Sequence, residues 1–304
     1  MQNDISLYDH LNSTAAYAIC LYDYVKGENK DILSLTDNDD VFLLIGGDVS
    51  GIQNFIYDII SKGAAKNLKG RSFYLQLLVD TIIHDLLVEL ALPNNCVVYA
   101  SGGGFYILAP NLGHTINKIK ELRHKISKGL FEQHGTALAI SMATQTIKIN
   151  DLKQNNLPTV WRELSLSLGI GKSTKFFDLI AENPALFFNP AAFDNSLKRD
   201  AISGTTIQGT FVNLEETESK DDKSNQIFLD ESNNVLLELG KKLKTADYLI
   251  LSNNVIPEWK DLEIFRINPL KNNTTWYLLS EEKLLKFKDK IKKYIPTYYC
   301  VATQ

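Results

Sequence analysis

Val41-Phe42-Leu43-Leu44-Ile45-Gly46-Gly47-Asp48-Val49-Ser50-Gly51-Ile52-Gln53 opens with a continuous apolar run, meets two glycines and a carboxylate, and leaves on a Ser-Gly pair. An unbroken apolar run of strand length predicts a central strand buried on both faces. Gly46-Gly47-Asp48 is expected to close that strand, and Ser50 to cap a helix over Gly51–Lys62. A strand that ends in a carboxylate and turns straight into a helix aims free backbone N–H groups and a positive helix end at one spot. Such a spot suits a phosphate, with Asp48 beside it to hold a divalent cation. A plainer alternative stays open, in which Asp48 and Ser50 only cap the helix.

Working outward, Asp4 to about Tyr24 carries apolar positions at helical spacing, and Gly27-Glu28-Asn29-Lys30 ends it. The polar stretch Thr36–Asp40 separates this helix from the strand and sets a boundary near residue 40. After Gly63, a turn rich in Lys and Gly (Lys66, Lys69, Gly70, Arg71) is expected to lead into a long amphipathic helix, Ser72–Leu92, stopped by Pro93. Cys96–Ser101 and Phe105–Ala109, joined by Gly102-Gly103-Gly104, read as a tight hairpin. A helix over about Leu112–Gln133 and a strand over Ala137–Ile149 follow. The order β-α-α-β-β-α-β predicts an α+β fold, a ferredoxin-like palm of the polymerase or GGDEF type with one helix duplicated, over residues 41–150. Residues 1–40 form an N-terminal helical segment, and 151–304 a smaller mixed α/β linker domain. In that last part, short helices are expected at Trp161–Leu168, Lys175–Ile180 and Val235–Lys244, strands at Tyr248–Leu251 and Trp276–Leu279, and a basic-ended helix at Glu281–Lys293. Glu215–Asn225 reads as a solvated loop.

Bulk properties narrow the function. With 44% hydrophobic and 22% charged residues the 304-residue chain can bury ordinary globular cores. A formal charge of −4 argues against binding nucleic acid by bulk attraction, so any RNA contact must be local. The longest apolar runs fall far short of the ~20 residues of a membrane span. Met1-Gln-Asn-Asp does not read as a signal-peptide start, so a cytoplasmic location with no membrane partner is expected. Cys20, Cys96 and Cys300 never pair as C-x-x-C; no zinc is expected, and each reads as a small apolar residue.

The candidate site residues follow from these elements. Gly102, Gly103 and Gly104 would form a turn beside the end of the first strand, where active palms place carboxylates for two metals. Here the turn has none, and bare glycines let a nucleotide approach the backbone, although they equally suit an unadorned hairpin. The proposed nucleotide set is Asp48, Val49, Ser50, Gly51, Gln53, Lys69, Arg71 and Gly102–Gly104, with Asp48 as metal ligand and no catalytic residue. Lys62 and Lys66 are candidates for RNA phosphate, against the alternative of a solvated linker. Two decoys are set aside. His84-Asp85 lies inside the amphipathic helix and reads as a solvated pair. Gly169-Ile-Gly-Lys-Ser-Thr174 looks like the end of a P-loop but follows a helix instead of a strand, and Leu166 stands where that motif needs Gly.

Four segments in order carry a resemblance: Asp4-x-Ser-Leu-Tyr-Asp-His-x-x-x-Thr-Ala-Ala, Gly47-Asp-Val-Ser-Gly-Ile-Gln-x-Phe-Ile, Gly63-Ala-Ala-Lys-x-Leu-Lys-Gly-Arg-Ser-Phe-Tyr-Leu and Ser101-Gly-Gly-Gly-Phe-Tyr. Together they resemble the large subunit of type III-A CRISPR effector complexes. The resemblance implies that Asp4, Asp9 and His10 are the remnant of an HD nuclease domain, and that the strand, basic segment and hairpin belong to a first palm. It further implies a second palm bearing Gly-Gly-Asp-Asp, with ATP and Mg2+ or Mn2+ used between the palms to make cyclic oligoadenylate. Guide RNA and the other effector subunits are the implied partners. This sequence has no His-Asp dyad before its first helix, no Gly-Gly-Asp-Asp and no cysteine cluster, so it is expected to be a fragment or one half of a split enzyme, inactive alone. A non-catalytic scaffold is the alternative, and a free-standing diguanylate-type cyclase a third.

Overall fold

The computed structural model describes residues 6–59, 64–153, 156–188, 199–200, 207, 211–215, 226–243, 246, 248–252, 263–265 and 275–280. In chain order these form α1 (Leu7–Gly27), β1 (Phe42–Ser50), α2 (Ile52–Tyr57), α3 (Ala64–Glu89), β2 (Val97–Ser101), β3 (Gly104–Pro110), α4 (Gly113–His134), β4 (Ala139–Ile147), α5 (Ile149–Lys153), α6 (Leu157–Ser173), α7 (Phe177–Glu182), α8 (Ala185–Phe188), β5 (Phe211–Glu215), β6 (Gln226–Asp230), α9 (Glu231–Lys242), β7 (Tyr248–Ser252), β8 (Glu263–Phe265) and β9 (Thr275–Leu279). No helix among the described residues is long and apolar enough to cross a membrane. The chain divides into two compact units, residues 1–51 with 79–187, and residues 52–78 with 188–304. The sequential boundaries at 40 and 150 thus differ from the division by packing. The first unit takes in α6 and α7, and the unit boundary falls inside α3.

In the first unit a mixed α/β arrangement surrounds an antiparallel sheet of order β2-β3-β1-β4. Val41 through Ile45 are all buried, as a central strand requires. The strand does not close at Gly46-Gly47-Asp48. It runs on to Ser50, because β3 pairs it as far as Asp48 and β4 as far as Ser50, so its backbone groups find ladder partners. The turn comes at Gly51, whose φ of +95° suits only glycine and whose Cβ would strike the carbonyl oxygen of Ala137. The helix expected over Gly51–Lys62 shrinks to α2, and Lys62 lies outside the described residues.

Side chains alternate across β1. A Cβ on Gly47 would sit inside the ring of Phe105, while one on Gly46 would press on Leu164 and Leu168 of α6. Gly46 and Asp48 therefore face α6, which packs on β1 and β4 through Val160, Leu164 and Leu168, spaced four apart. Trp161 meets Tyr106 edge-on at 4.5 Å, and the Ser141 hydroxyl donates to the Leu168 carbonyl at 2.9 Å. Gly171 is small for the same reason: a Cβ there would lie 2.2 Å from Ser141 Oγ.

In the second unit the Lys66–Arg71 stretch is helix, the first turns of α3, and not the expected turn. Gly70 serves close approach. A Cβ on it would strike the Leu236 carbonyl oxygen, and one on Gly240 the Lys66 carbonyl oxygen, so α3 and α9 touch backbone to backbone through paired glycines. The β5–β6 hairpin and the sheet β7-β9-β8, whose Trp276, Tyr277, Leu278 and Leu279 are buried, complete this unit. The helices expected at Trp161–Leu168 and Val235–Lys244 appear, longer or shifted, as α6 and α9. Glu215–Asn225 lies outside the described residues apart from Glu215, which ends β5, and the helix Glu281–Lys293 lies outside them entirely.

Candidate nucleotide site

Asp48 sits in β1 opposite Gly104 of β3 and Ser141 of β4. The hairpin tip is made by Gly102 (φ +61°) and Gly103 (φ +92°), both in the region that favours glycine. The Val49 N–H donates to the Gly103 carbonyl at 2.9 Å, which ties the tip to the end of β1. Asp48 Oδ2 lies 3.7 Å from where a Cβ on Gly104 would be, so carboxylate and glycine tip share one corner of the sheet.

That corner holds a cation that sequence reasoning missed. Lys172 Nζ lies 3.0 Å from Asp48 Oδ1, with the two side chains 43% and 32% exposed, so both can still meet a ligand. Lys172 belongs to the segment dismissed as a P-loop look-alike, and that segment is indeed helical. The signal was nevertheless in the spacing. Val160, Leu164 and Leu168 form a stripe at four-residue steps, and the next step is Lys172, on the face that already covers Gly46, two residues before Asp48. Past Lys172, a cavity of about 100 Å³ opens among α4, β4 and the α6–α7 turn, with Arg123, Ser141, Gly171 and Lys175 on its wall. Arg123 is paired there with Asp178 at 2.7 Å. Ligand pockets for drug-sized molecules hold roughly 300 Å³ or more, so this cavity does not enclose a nucleotide.

The remaining candidates divide between the units. Asp48, Val49, Ser50, Gly51 and Gly102–Gly104 belong to the first; Gln53, Lys66, Lys69 and Arg71 belong to the second. Ser50 is the last residue of the strand and the helix after it, α2, runs only from Ile52 to Tyr57. Arg71 is 4% exposed. Its Nε donates to Asn67 Oδ1 at 3.1 Å, its NH1 to the Phe55 carbonyl and its NH2 to Asn233 Oδ1 at 2.6 Å, while its guanidinium lies over the Phe55 ring. Burial lowers its pKa, though Asp58 and Asp200 oppose this. Arg71 binds the helices of its own unit together and is withdrawn from the phosphate set. Lys66 and Lys69 are exposed on α3.

Among the described residues, no three His, Cys, Asp or Glu groups come together as metal ligands, and the Asp48 carboxylate meets an ammonium. These residues do not fit a two-metal centre. Asp9 and His10 are exposed on α1, and Asp4 lies outside the described residues. The His84-Asp85 pair is no solvated face: Asp85 is 1% exposed, packed on α3 amid Ile82, Ile83 and Leu86.

Residues 41–189 match the family described as Csm1 subunit domain B. The Cas10/Csm1 single-strand-specific deoxyribonuclease of the subtype III-A CRISPR system from Enterococcus italicus is 33% identical over 186 residues, which is 57% of this chain and 25% of that protein. Its counterpart from Mycobacterium tuberculosis is 37% identical over 157 residues, 49% of this chain and 19% of that protein. Among solved structures, the Csm1-Csm4 subcomplex of the type III-A interference complex has a TM-score of 0.65 at 22% identity, covering 92% of this chain and 31% of that one. A Csm1-Csm4 cassette in complex with cA4 has a TM-score of 0.53 at 25% identity, covering 75% of this chain and 30% of that one. The chain therefore spans about a quarter or less of these curated relatives and under a third of the solved chains.

Proposed function

Since this chain is a relative of the large subunit of type III-A CRISPR effector complexes, we propose that it supplies that subunit's first palm and a nucleotide half-site at Asp48. The strand order β2-β3-β1-β4, with helices connecting β1 to β2 and β3 to β4, supports reading residues 41–150 as a ferredoxin-like palm. One observation carries the site: a half-buried carboxylate and an exposed ammonium, Asp48 and Lys172, meet beside a glycine tip at the end of the central strand. Lys172 can bind a phosphate by a charge-assisted bond, and bare Gly102 and Gly103 let a nucleotide lie against the backbone. The neighbouring cavity is too small to enclose a nucleotide, so the ligand lies on an open face that a second palm would cover. ATP is the nucleotide this reading assigns, and joining it into cyclic oligoadenylate is the reaction of the assembled subunit. Csm4-like and other effector subunits, with guide RNA near Lys66, are the proposed partners.

Calorimetric titration of magnesium-ATP into this chain, alone and bound to a second-palm polypeptide, tests the site. Asp48→Ala, by loss of a carboxylate that would hold the magnesium of the nucleotide, and Lys172→Ala, by loss of a phosphate contact, should each weaken binding by roughly 1–3 kcal/mol. Unchanged affinity in both, with the fold intact by circular dichroism, would favour a scaffold that only anchors guide RNA and a neighbouring subunit. The single carboxylate at the hairpin corner is the observation on that side.

A further inference from the structure

The sheet of the first unit is only partly covered on the face that carries Asp48. Residues paired across neighbouring strands share a face, so Gly46, Asp48, Gly104 and Tyr106 lie together, and Tyr99 of β2 extends the row. On this face α6 packs over β1 and β4, and α1 reaches the far end, where Tyr17 meets Phe42 edge-on at 5.1 Å. Among the described residues, the β2–β3 half beside the glycine tip stays open: Tyr99 is 54% exposed and Tyr106 is half-buried.

A bulge puts Tyr99 there. Val97 stands opposite Ile107, yet Tyr99 stands opposite Tyr106, so β2 uses two residues where β3 uses one. Plain alternation would set Tyr99 against Phe105, on the buried face. The two tyrosine rings lie 6.2 Å apart, and Trp161 of α6 meets Tyr106 edge-on at 4.5 Å, which fixes the orientation of that ring. A cross-strand pair that only steadied the sheet would gain more from burial than from a bulge that turns Tyr99 out to water.

We propose that Tyr99 and Tyr106 form a stacking platform for the base of a nucleotide whose phosphates sit at Lys172. This rests on reading the Asp48 corner as a nucleotide half-site. Tyr106 is the diagonal neighbour of Asp48 across β1 and β3, roughly 7–8 Å away, so the rings and the Lys172 ammonium are one nucleoside apart. Every base has a π face, and stacking holds a base without reading which one it is. The ligand class is therefore a nucleoside triphosphate, and the choice of ATP falls to the palm that covers the face. Lys172 is balanced by Asp48 at this corner, whereas the backbone of a nucleic-acid strand calls for a positively charged groove. The charge fits a single nucleotide that brings its own magnesium.

Calorimetric titration of the full chain, alone and with a second-palm polypeptide, compares magnesium-ATP with magnesium tripolyphosphate, which has the phosphates and no base. ATP should bind about tenfold more tightly. Tyr99→Leu and Tyr106→Leu should each remove most of that advantage and leave tripolyphosphate affinity unchanged, while Tyr99→Phe keeps it. Lys172→Ala should weaken both ligands. A purely structural tyrosine pair would not separate the two. Equal affinity of ATP and tripolyphosphate for the native chain would overturn the proposal, as would an ATP advantage untouched by both leucine variants. In either case, loss of tripolyphosphate binding in Lys172→Ala leaves the half-site standing. If Lys172→Ala changes neither ligand while Tyr99→Leu still weakens ATP, the half-site fails and the platform stands on its own. Absence of binding by both ligands overturns both readings. A single-stranded oligonucleotide that binds more tightly than ATP, and loses this with the same tyrosines, overturns the single nucleotide as occupant. The comparison on the native chain and the exposed Tyr99 keep the decision intact should Tyr106→Leu fail to fold.

Discussion

Asp80 and His134, both in the first unit, titrate in opposite senses. Burial pushes the Asp80 carboxyl up from 3.8 to about 6, so between those values the folded chain keeps a proton that the unfolded chain releases, and stability falls as pH rises. Burial pulls the His134 imidazole down from 6.5 to about 4, so in that window the unfolded chain takes a proton that the folded one refuses, and stability rises with pH. At about 1.4 kcal/mol per pKa unit each effect is worth at most about 3 kcal/mol, and the two nearly cancel from about pH 4 to 6. Urea denaturation from pH 4 to 7 should therefore be flat for the native sequence, rise with pH for Asp80→Asn, and fall with pH for His134→Asn. Arg71→Ala should lower the melting temperature of its unit through three lost hydrogen bonds, without the selective loss of ATP affinity expected of Asp48→Ala. The sequence made Arg71 look available because a basic residue beside glycine reads as a phosphate turn. Its acceptor Asn233 is far along the chain, and no local pattern announces it.

At the scale of elements, local patterns identified the strands and long helices well and their ends poorly. The apolar pentad Val41–Ile45 marked β1, and the glycines of the hairpin marked the β2–β3 turn. Gly46-Gly47, however, reads locally as a breaker, while the structure uses both to admit neighbours, Leu164 and Leu168 on one face and Phe105 on the other. Gly70 misled in the same way, since its reason lies in α9. These contacts give a graded expectation. Gly70→Val and Gly240→Val should be severely destabilising, about 3 kcal/mol or more, because backbone stands in the way and cannot yield. Gly102→Ala meets open space and carries only the strain of its positive φ, about 1 kcal/mol. Chemical denaturation of the three variants checks the ranking.

For the whole molecule, a single carboxylate at the hairpin corner and no further metal-ligating cluster among the described residues lead to a simple expectation. The chain alone should form no oligoadenylate from magnesium-ATP above a blank, and addition of a second-palm polypeptide should restore synthesis. Chromatography of the reaction products decides both. The family relationship was legible in four short segments because loop and site residues there are local. The two-unit organisation was not, because it rests on residues 52–78 packing with chain that follows residue 187.

That interleaving has a consequence on the ribosome. β1 emerges early, but its partners β3 and β4 follow only after residues 104 and 139, with residues 52–78 emerging in between. At roughly 5–20 residues per second, this strand with its apolar pentad waits about ten seconds before its ladder can close. Nascent-chain pull-downs stalled near residue 100 should therefore capture a holdase chaperone on Val41–Ile45, and stalling after α6 has cleared the exit tunnel should release it.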